Sequence, residues 1–394
     1  MSGCSSRAWV SILGVILCQA CSERGGNGNA GPQRTTLGPP DAVFPEDFGF
    51  VHTVRELPGG HILVPDPLAK ALYRVDMDTG VRTVAGTLGG GPEEYRQPDA
   101  VWPLSGDSTL FVDLGNGRLV RLGPNLEFGQ AHPIARLQGD GSFVMALPAG
   151  VDRSGNVYTA ALGGYPPDPE GRGMVLRIGL ASGRVDTAGS YRSSKRGERE
   201  VDESGNRIGF SPIPLSPADS WGVSVDGSVV VARSLGYGVD WHAPDGSVTR
   251  GDTVSYEPIP ITTAEKDEYF RDRRRQAGVG ISMTSSANGQ TSATFFRSGF
   301  SDEPEYDNYS WPDVKPALHS MTIRVDPHGR AWVRRHVPAG RSTAYDLFDR
   351  QGNLVSAVAL DGDRRVVGFG RESVYMVAFD ELDLAYLEKY ALPE

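Results

Sequence analysis

Six residues of this chain carry side chains suited to holding a polar or charged molecule and fall at one recurring place in its pattern. They are His52, Asp99, Asp219, Trp221, His319 and Arg365. Each stands at or just ahead of the first strand of a repeated unit. Two imidazoles, two carboxylates, an indole and a guanidinium supply donors, acceptors and one apolar face. Gathered at one mouth, they would hold a polar or anionic ligand. The bland alternative is that they fill and solvate the space between the repeats.

Other chemistry-bearing patterns are missing from the sequence. The seven histidines include no His-x-x-x-His pair or other compact ligand spacing, so nothing supports a zinc site. No Gly-x-Ser-x-Gly elbow marks a hydrolase triad. Gly89-Gly90-Gly91 leads into no Lys-Ser/Thr and no helix, so a phosphate loop is excluded. Asp76-Met77-Asp78-Thr79-Gly80 has a faint calcium-loop look, yet it lacks the remaining oxygen ligands and sits at a hairpin turn. No metal and no cofactor are expected. The net charge of -10 leaves no basic footprint, so nucleic acid is not an expected partner.

The elements that position those six residues are read from a repeat. Turns built on Gly or Asp run into short β-rich strands at Pro58–Val64, Ser105–Val112, Asp152–Tyr158, Val225–Val231, Asp326–Val333 and Gly370–Val377. Most copies carry a second turn between alternating runs, such as Leu72–Val75 with Val81–Val84. Two hairpins in series make a four-stranded antiparallel meander, one blade of a propeller. The fold class expected is all-β: a six-bladed β-propeller of four-stranded antiparallel blades, with one inserted helix near 263–277. The blades fall at about 48–97, 98–143, 144–193, 216–260, 317–361 and 363–394. The last contains only three strands, and an unpaired edge is a liability. The segment near Ala42-Val43-Phe44 is therefore expected to close the ring as its outer strand.

Two insertions break the pattern. Arg192 to Pro214 is charged and poor in apolar residues, and reads as a loop. Thr262 to Gly278 reads as an exposed helix. Thr262 and Glu265 fit a capping box, acidic residues fill the first turns, and Arg271 to Arg275 fill the last. Residues 279–316 are either a hairpin with a long loop or a degenerate seventh blade. Their aromatics, with Phe295, Phe296, Tyr309 and Trp311 among them, could cap one face or pave a binding surface.

The N-terminus reads as a targeting segment. Arg7 precedes an apolar run from Ala8 to Leu17 that is too short to span a bilayer. Residues 1–20 are expected as a signal peptide, ending at Ala20-Cys21, with Cys21 as the residue to be lipidated. Residues 21–36 are polar and Gly-rich and are expected as a flexible tether, leaving 37–394 as a single propeller domain. The three cysteines are Cys4, Cys18 and Cys21, so the mature fold has no internal disulfide and no thiolate nucleophile.

The segment Gly89-Gly90-Gly91-Pro92-Glu93-Glu94-Tyr95-Arg96-Gln97-Pro98 resembles the Gly-x-Gly-Pro-Gly-Glu-Phe…Pro stretch of bacterial six-bladed β-propeller lipoproteins, relatives of the NHL-repeat and TolB-like propellers. The stretch from Tyr309 to Val333 resembles the Pro-rich loop that leads into one of their blades. Position 93 is Glu where those proteins carry Gly. The likeness spans most of 45–394 and implies an architecture rather than a reaction. Calcium-dependent lactonase-like propellers use a Glu, two Asn and an Asp at the channel mouth, and Asn does not occupy matching positions here. The function expected is an exported, membrane-anchored binding or scaffolding module of the cell envelope, facing the periplasm or seated at the outer membrane. It would engage a protein, peptide or glycan. The alternative is a channel-mouth hydrolase or lyase acting on a small polar or sugar-like substrate.

Overall fold

A computed structural model describes residues 33–137, 143–161, 172–194, 196–201, 207–285, 291–300, 306–320 and 323–394. They belong to one compact unit that runs from Pro32 to Glu394. The expected signal peptide, the lipidation site Cys21 and most of the expected tether lie outside the described residues.

The repeated turn is held by its own aspartate. In the third and fifth blades the sequence runs Asp-x-x-Gly-x-x-aromatic. Asp152 accepts the backbone N–H of Asn156 at 3.0 Å and the Tyr158 hydroxyl at 3.1 Å. Asp326 accepts the N–H of Arg330 at 2.9 Å and the Trp332 indole N–H at 3.0 Å. One short side chain thus fixes the turn and anchors the ring of the strand that follows.

Six antiparallel sheets result, and their first strands are Arg55–Glu56, Pro98–Pro103, Gly150–Val151, Ser220–Val223, Arg324–Val325 and Arg364–Phe369. These innermost strands approach one another closely around the axis. A Cβ on Gly368 would lie 2.6 Å from the Val54 carbonyl of the next blade, and one on Gly222 would meet the carbonyl of Ile323. Only glycine allows those approaches.

Behind them the second strands are buried on both faces. Alternation then sends successive residues to opposite neighbours. Leu110 and Val112 join the layer shared with the third blade, while Phe111 joins the layer shared with the first. Ala331 and Val333 pack against the fourth blade, and Trp332 against the sixth. The core is therefore a ring of wedges, one between each pair of blades, rather than one central mass.

The ring closes as expected. Strand β2 (Ala42–Val43) pairs antiparallel with Lys389 and Glu388 as the outer strand of the sixth blade. Phe44 and Phe48 follow it into the wedge between the sixth and first blades, beside Ile62, Val64 and Tyr375. The end of the expected tether is also structured. Strand β1 (Gln33–Thr36) runs parallel to Leu354–Ala359 as a fifth strand on the fifth blade.

The insertions differ in detail from expectation. Within 192–214, Arg196–Val201 and Arg207–Pro212 pair as a hairpin, because backbone pairing needs no apolar side chains. Ala277–Ser285 pairs antiparallel with Thr291–Gly299 as a two-stranded sheet, and not as a blade. Helix α1 spans Thr263–Arg274. Its capping box does not form: the Thr262 side chain makes no capping bond, and Glu265 turns instead to Lys315 and to the N–H of Ala339 at 2.9 Å. Nor is the helix free-standing, since Glu265 and Phe270 are buried. Phe270 packs against Tyr306, Tyr309 and Trp311, so those aromatics cap the propeller under the helix. Among the described residues no helix is long and apolar enough to cross a membrane.

Candidate functional site

In each blade the loop into the innermost strand and the loop between the second and third strands emerge on the same side, here called the mouth face. The insertion between the fourth and fifth blades lies across it and is tied down at both ends. Arg275, at the end of α1, pairs with Asp363 at 2.6 Å and Asp383 at 2.7 Å, both on the sixth blade. Lys315 is almost wholly buried between Glu265 and Glu268. On the opposite side, Phe295 of the inserted two-stranded sheet is buried in the wedge between the second and third blades.

That sheet also completes a charge cluster. Arg297 clamps Asp99 through Nε and through Nη2, the latter at 3.0 Å. Gln97 fixes the inserted strand beside it, accepting the Arg297 N–H at 2.9 Å and donating to its carbonyl at 3.1 Å. His52 Nδ1 lies 3.5 Å from Asp99 Oδ2. Burial would raise the Asp99 pKa, but its bonds to His52 and Arg297 hold it well below the usual carboxylate range. Burial is also the largest influence on His52, lowering its pKa to about 4 against the pull of Asp99, with Arg297 adding to the fall. His52 is thus neutral at pH 7, flanked by an ionised carboxylate.

Arg324 of the fifth blade and Arg365 of the sixth also reach this cluster. Arg324 Nη2 donates to the carbonyl of His52 at 3.0 Å, and Arg365 Nη2 to that of Val51 at 2.9 Å. The Arg365 guanidinium lies over the Phe50 ring at 5.1 Å, and Arg297 lies 5.3 Å from the same ring. Among the described residues neither Arg324 nor Arg365 has a carboxylate within ion-pair distance, and the buried Nε of Arg365 has no hydrogen-bond partner. Burial lowers both pKa values to about 10, and Arg365 contributes to the fall at Arg324. Both stay charged at neutral pH. With Arg334, Tyr345 and His319 they line a small void of about 20 Å³.

His319 joins that void to a larger cavity of about 270 Å³ beneath α1, lined also by His336, Lys315, Asp272 and Phe300. The His319 and His336 rings are 3.8 Å apart. Burial pushes His336 down to about 3 and His319 well below its usual value. Asp272 is pushed up to about 6, chiefly by burial, with Arg334 opposing. Among the described residues no three His, Cys, Asp or Glu side chains converge as a metal would require.

Of the six residues singled out from sequence, the structure brings His52, Asp99, His319 and Arg365 to the channel. The other two sit elsewhere. Trp221 is in the wedge between the third and fourth blades, with its ring 6.2 Å from Tyr191. Asp219 accepts from the Ser234 N–H and hydroxyl at 2.8 and 2.9 Å and from the Arg192 N–H at 2.8 Å, which fixes loops at the fourth blade's rim. Sequence reasoning missed Arg297, Arg324, His336 and Lys315. Arg324 and His336 lie on or beside fifth-blade strands, where repeat counting had a chance of finding them. Arg297 and Lys315 belong to the insertion and its return, outside any repeat.

No family profile and no curated protein matches the chain. Solved structures do resemble it. A DUF4221-family protein from Bacteroides vulgatus is 10% identical, with 92% of this chain and 98% of that chain covered and a TM-score of 0.45. Regucalcin, a calcium-binding protein from Agrobacterium tumefaciens, is 12% identical, with coverages of 91% and 98% and a TM-score of 0.39. Virginiamycin B lyase from Staphylococcus aureus is 10% identical, with coverages of 89% and 98% and a TM-score of 0.31. The likeness is one of fold.

Proposed function

We propose that this protein is a binding module of the cell envelope whose channel mouth takes an anionic group of a peptide or glycan. The observation that carries the reading is the pair Arg324 and Arg365. They are two recessed guanidiniums on one void, with no carboxylate within ion-pair distance among the described residues and with the Arg365 Nε unpartnered. A guanidinium in that position loses water without a carboxylate in ion-pair contact, although Asp363 and Asp272 act on Arg365 from farther off, and an incoming carboxylate or phosphate would restore the balance. The cavity under α1 gives the rest of the ligand a place to lie. Export and anchoring rest on the Arg7-to-Leu17 run and on Ala20-Cys21. Cys21 is the proposed lipidated residue and the segment after it the tether, with the propeller at the outer membrane or facing the periplasm.

Calorimetry tests the binding site. An acetylated tripeptide with a free C-terminal carboxylate, or glucuronate, should bind, and the amidated tripeptide should not. Arg365→Gln should weaken binding by about tenfold or more, the worth of a charge-assisted hydrogen bond. Equal binding of amide and carboxylate would sink the reading. Cys21→Ala should release the protein from membranes, and retention would count against anchoring there.

One observation favours a second reading, a hydrolase or lyase acting on a small polar or sugar-like substrate. His52 is neutral at pH 7 and lies against an ionised Asp99, the arrangement of an oriented general base. Turnover of a sugar lactone or uronate that His52→Ala abolishes, with binding retained, would move the assignment there.

A further inference from the structure

A second cavity lies away from the channel, in the cleft between the outer parts of the third and fourth blades. It measures about 580 Å³, within the usual range for small-molecule sites. Arg172 and Arg192 line it from the third blade, and His242 and Arg250 from the fourth. The imidazole of His242 packs over the bare backbone of Gly189, where a Cβ would come within 3.7 Å of the ring. Burial lowers the pKa of His242 with Asp240 opposing, and Arg172 and Arg250 lower it further, so cationic heads act on the ring from both blades.

The two carboxylates of the cleft are already committed. Asp240 pairs with Arg233, which also donates to the carbonyls of Gly236 and Gly251 at 3.1 and 2.9 Å. Asp219 is occupied by Ser234 and the Arg192 backbone, as described above. Arg192 and Arg250 are exposed, and neither side chain has a hydrogen bond or ion pair among the described residues. At the rim, Leu235 and Val248 are 53% and 47% exposed, which adds apolar edges to the positive lining. Guanidiniums together with apolar edges suit a molecule that carries carboxylates on rings with apolar C–H faces.

We propose that this cleft binds an acidic oligosaccharide, whose carboxylates are held by Arg192 and Arg250 and whose ring faces lie against Leu235 and Val248. Electrostatic capture of this kind weakens as salt rises.

The test is calorimetry of the full-length protein with trigalacturonate, with neutral maltotriose and with tripolyphosphate. Trigalacturonate should bind and maltotriose should not. Arg192→Gln and Arg250→Gln should each weaken that binding by about tenfold or more. Both residues are exposed, so unchanged circular dichroism should accompany the loss. Arg365→Gln should remove the uronate bound at the channel and leave the share bound at the cleft intact, so that a failure of the channel site and a failure of this one are told apart. The proposal is overturned if trigalacturonate does not bind, if only tripolyphosphate binds, or if its binding survives both cleft substitutions and falls with Arg365→Gln.

Discussion

Acid should destabilise this propeller through the histidines of its mouth, and His52 offers the cleanest measurement. In the fold its pKa is pushed down to about 4, chiefly by burial. In the unfolded chain it returns to about 6.5. Between those values the unfolded chain takes up a proton that the folded chain refuses. Stability is therefore undiminished above about 6.5 and falls as pH drops through the window. At about 1.4 kcal/mol per pH unit, the passage from pH 7 to pH 4 costs about 3 kcal/mol from this residue. That is a large part of the roughly 5–15 kcal/mol that holds a typical domain together. Asp99 acts lower on the scale: its contribution is intact above about 4 and is lost only toward its depressed folded value. Asparagine at position 52 cannot ionise but can still donate to Asp99. Urea denaturation followed by tryptophan fluorescence at pH 7 and pH 4 should then show His52→Asn losing about 3 kcal/mol less than the parent. The other carboxylates are common to both proteins and cancel in the difference, and Asp99 keeps its Arg297 clamp in both. Equal losses would refute the reasoning, since they would mean that the imidazole ionises alike in the folded and unfolded chains.

Two further outcomes are expected. Phe44 is fully buried beside the closing strand, so Phe44→Ala should cost about 3–5 kcal/mol in urea denaturation, and a cost under about 1 kcal/mol would mean that the closure carries little of the fold. Arg275→Gln removes the bonds from α1 to Asp363 and Asp383, while Asp363 keeps Arg334 at 2.7 Å. Hydrogen exchange should rise across 263–275 and stay unchanged in the second strands of the blades, and an unaltered helix would show that other contacts hold α1 in place.

The blade frame was legible because its cause is local. The aspartates that open the turns, Asp152 and Asp326, make their bonds within six residues, so the pattern repeats in the sequence itself. The closing strand was legible by deficit, because the final repeat had three strands. The site was less so. Repeat counting places a residue at the height of the mouth, but alternation decides whether it faces the axis or a neighbouring blade. Trp221 has the right height and the wrong face. Arg297, the partner of Asp99, lies 198 residues away in an insertion that obeys no repeat, and no spacing announces it. The capping box at Thr262 failed for a related reason: buried Lys315, arriving from a distant segment, claims Glu265.

The parallel strand β1 gives the molecule a mechanical order. A chain pulled from its N-terminal end loads β1 first, and β1 is hydrogen-bonded to the fifth blade, not to the sixth blade that β2 closes. The load must shear four parallel residue pairs before it reaches the seam of the ring. The connection between β1 and β2 then acts as slack that shields the closing strand. A propeller held by its N-terminus under flow or traction would give up a peripheral strand and keep its ring, with the arginine-lined mouth undisturbed.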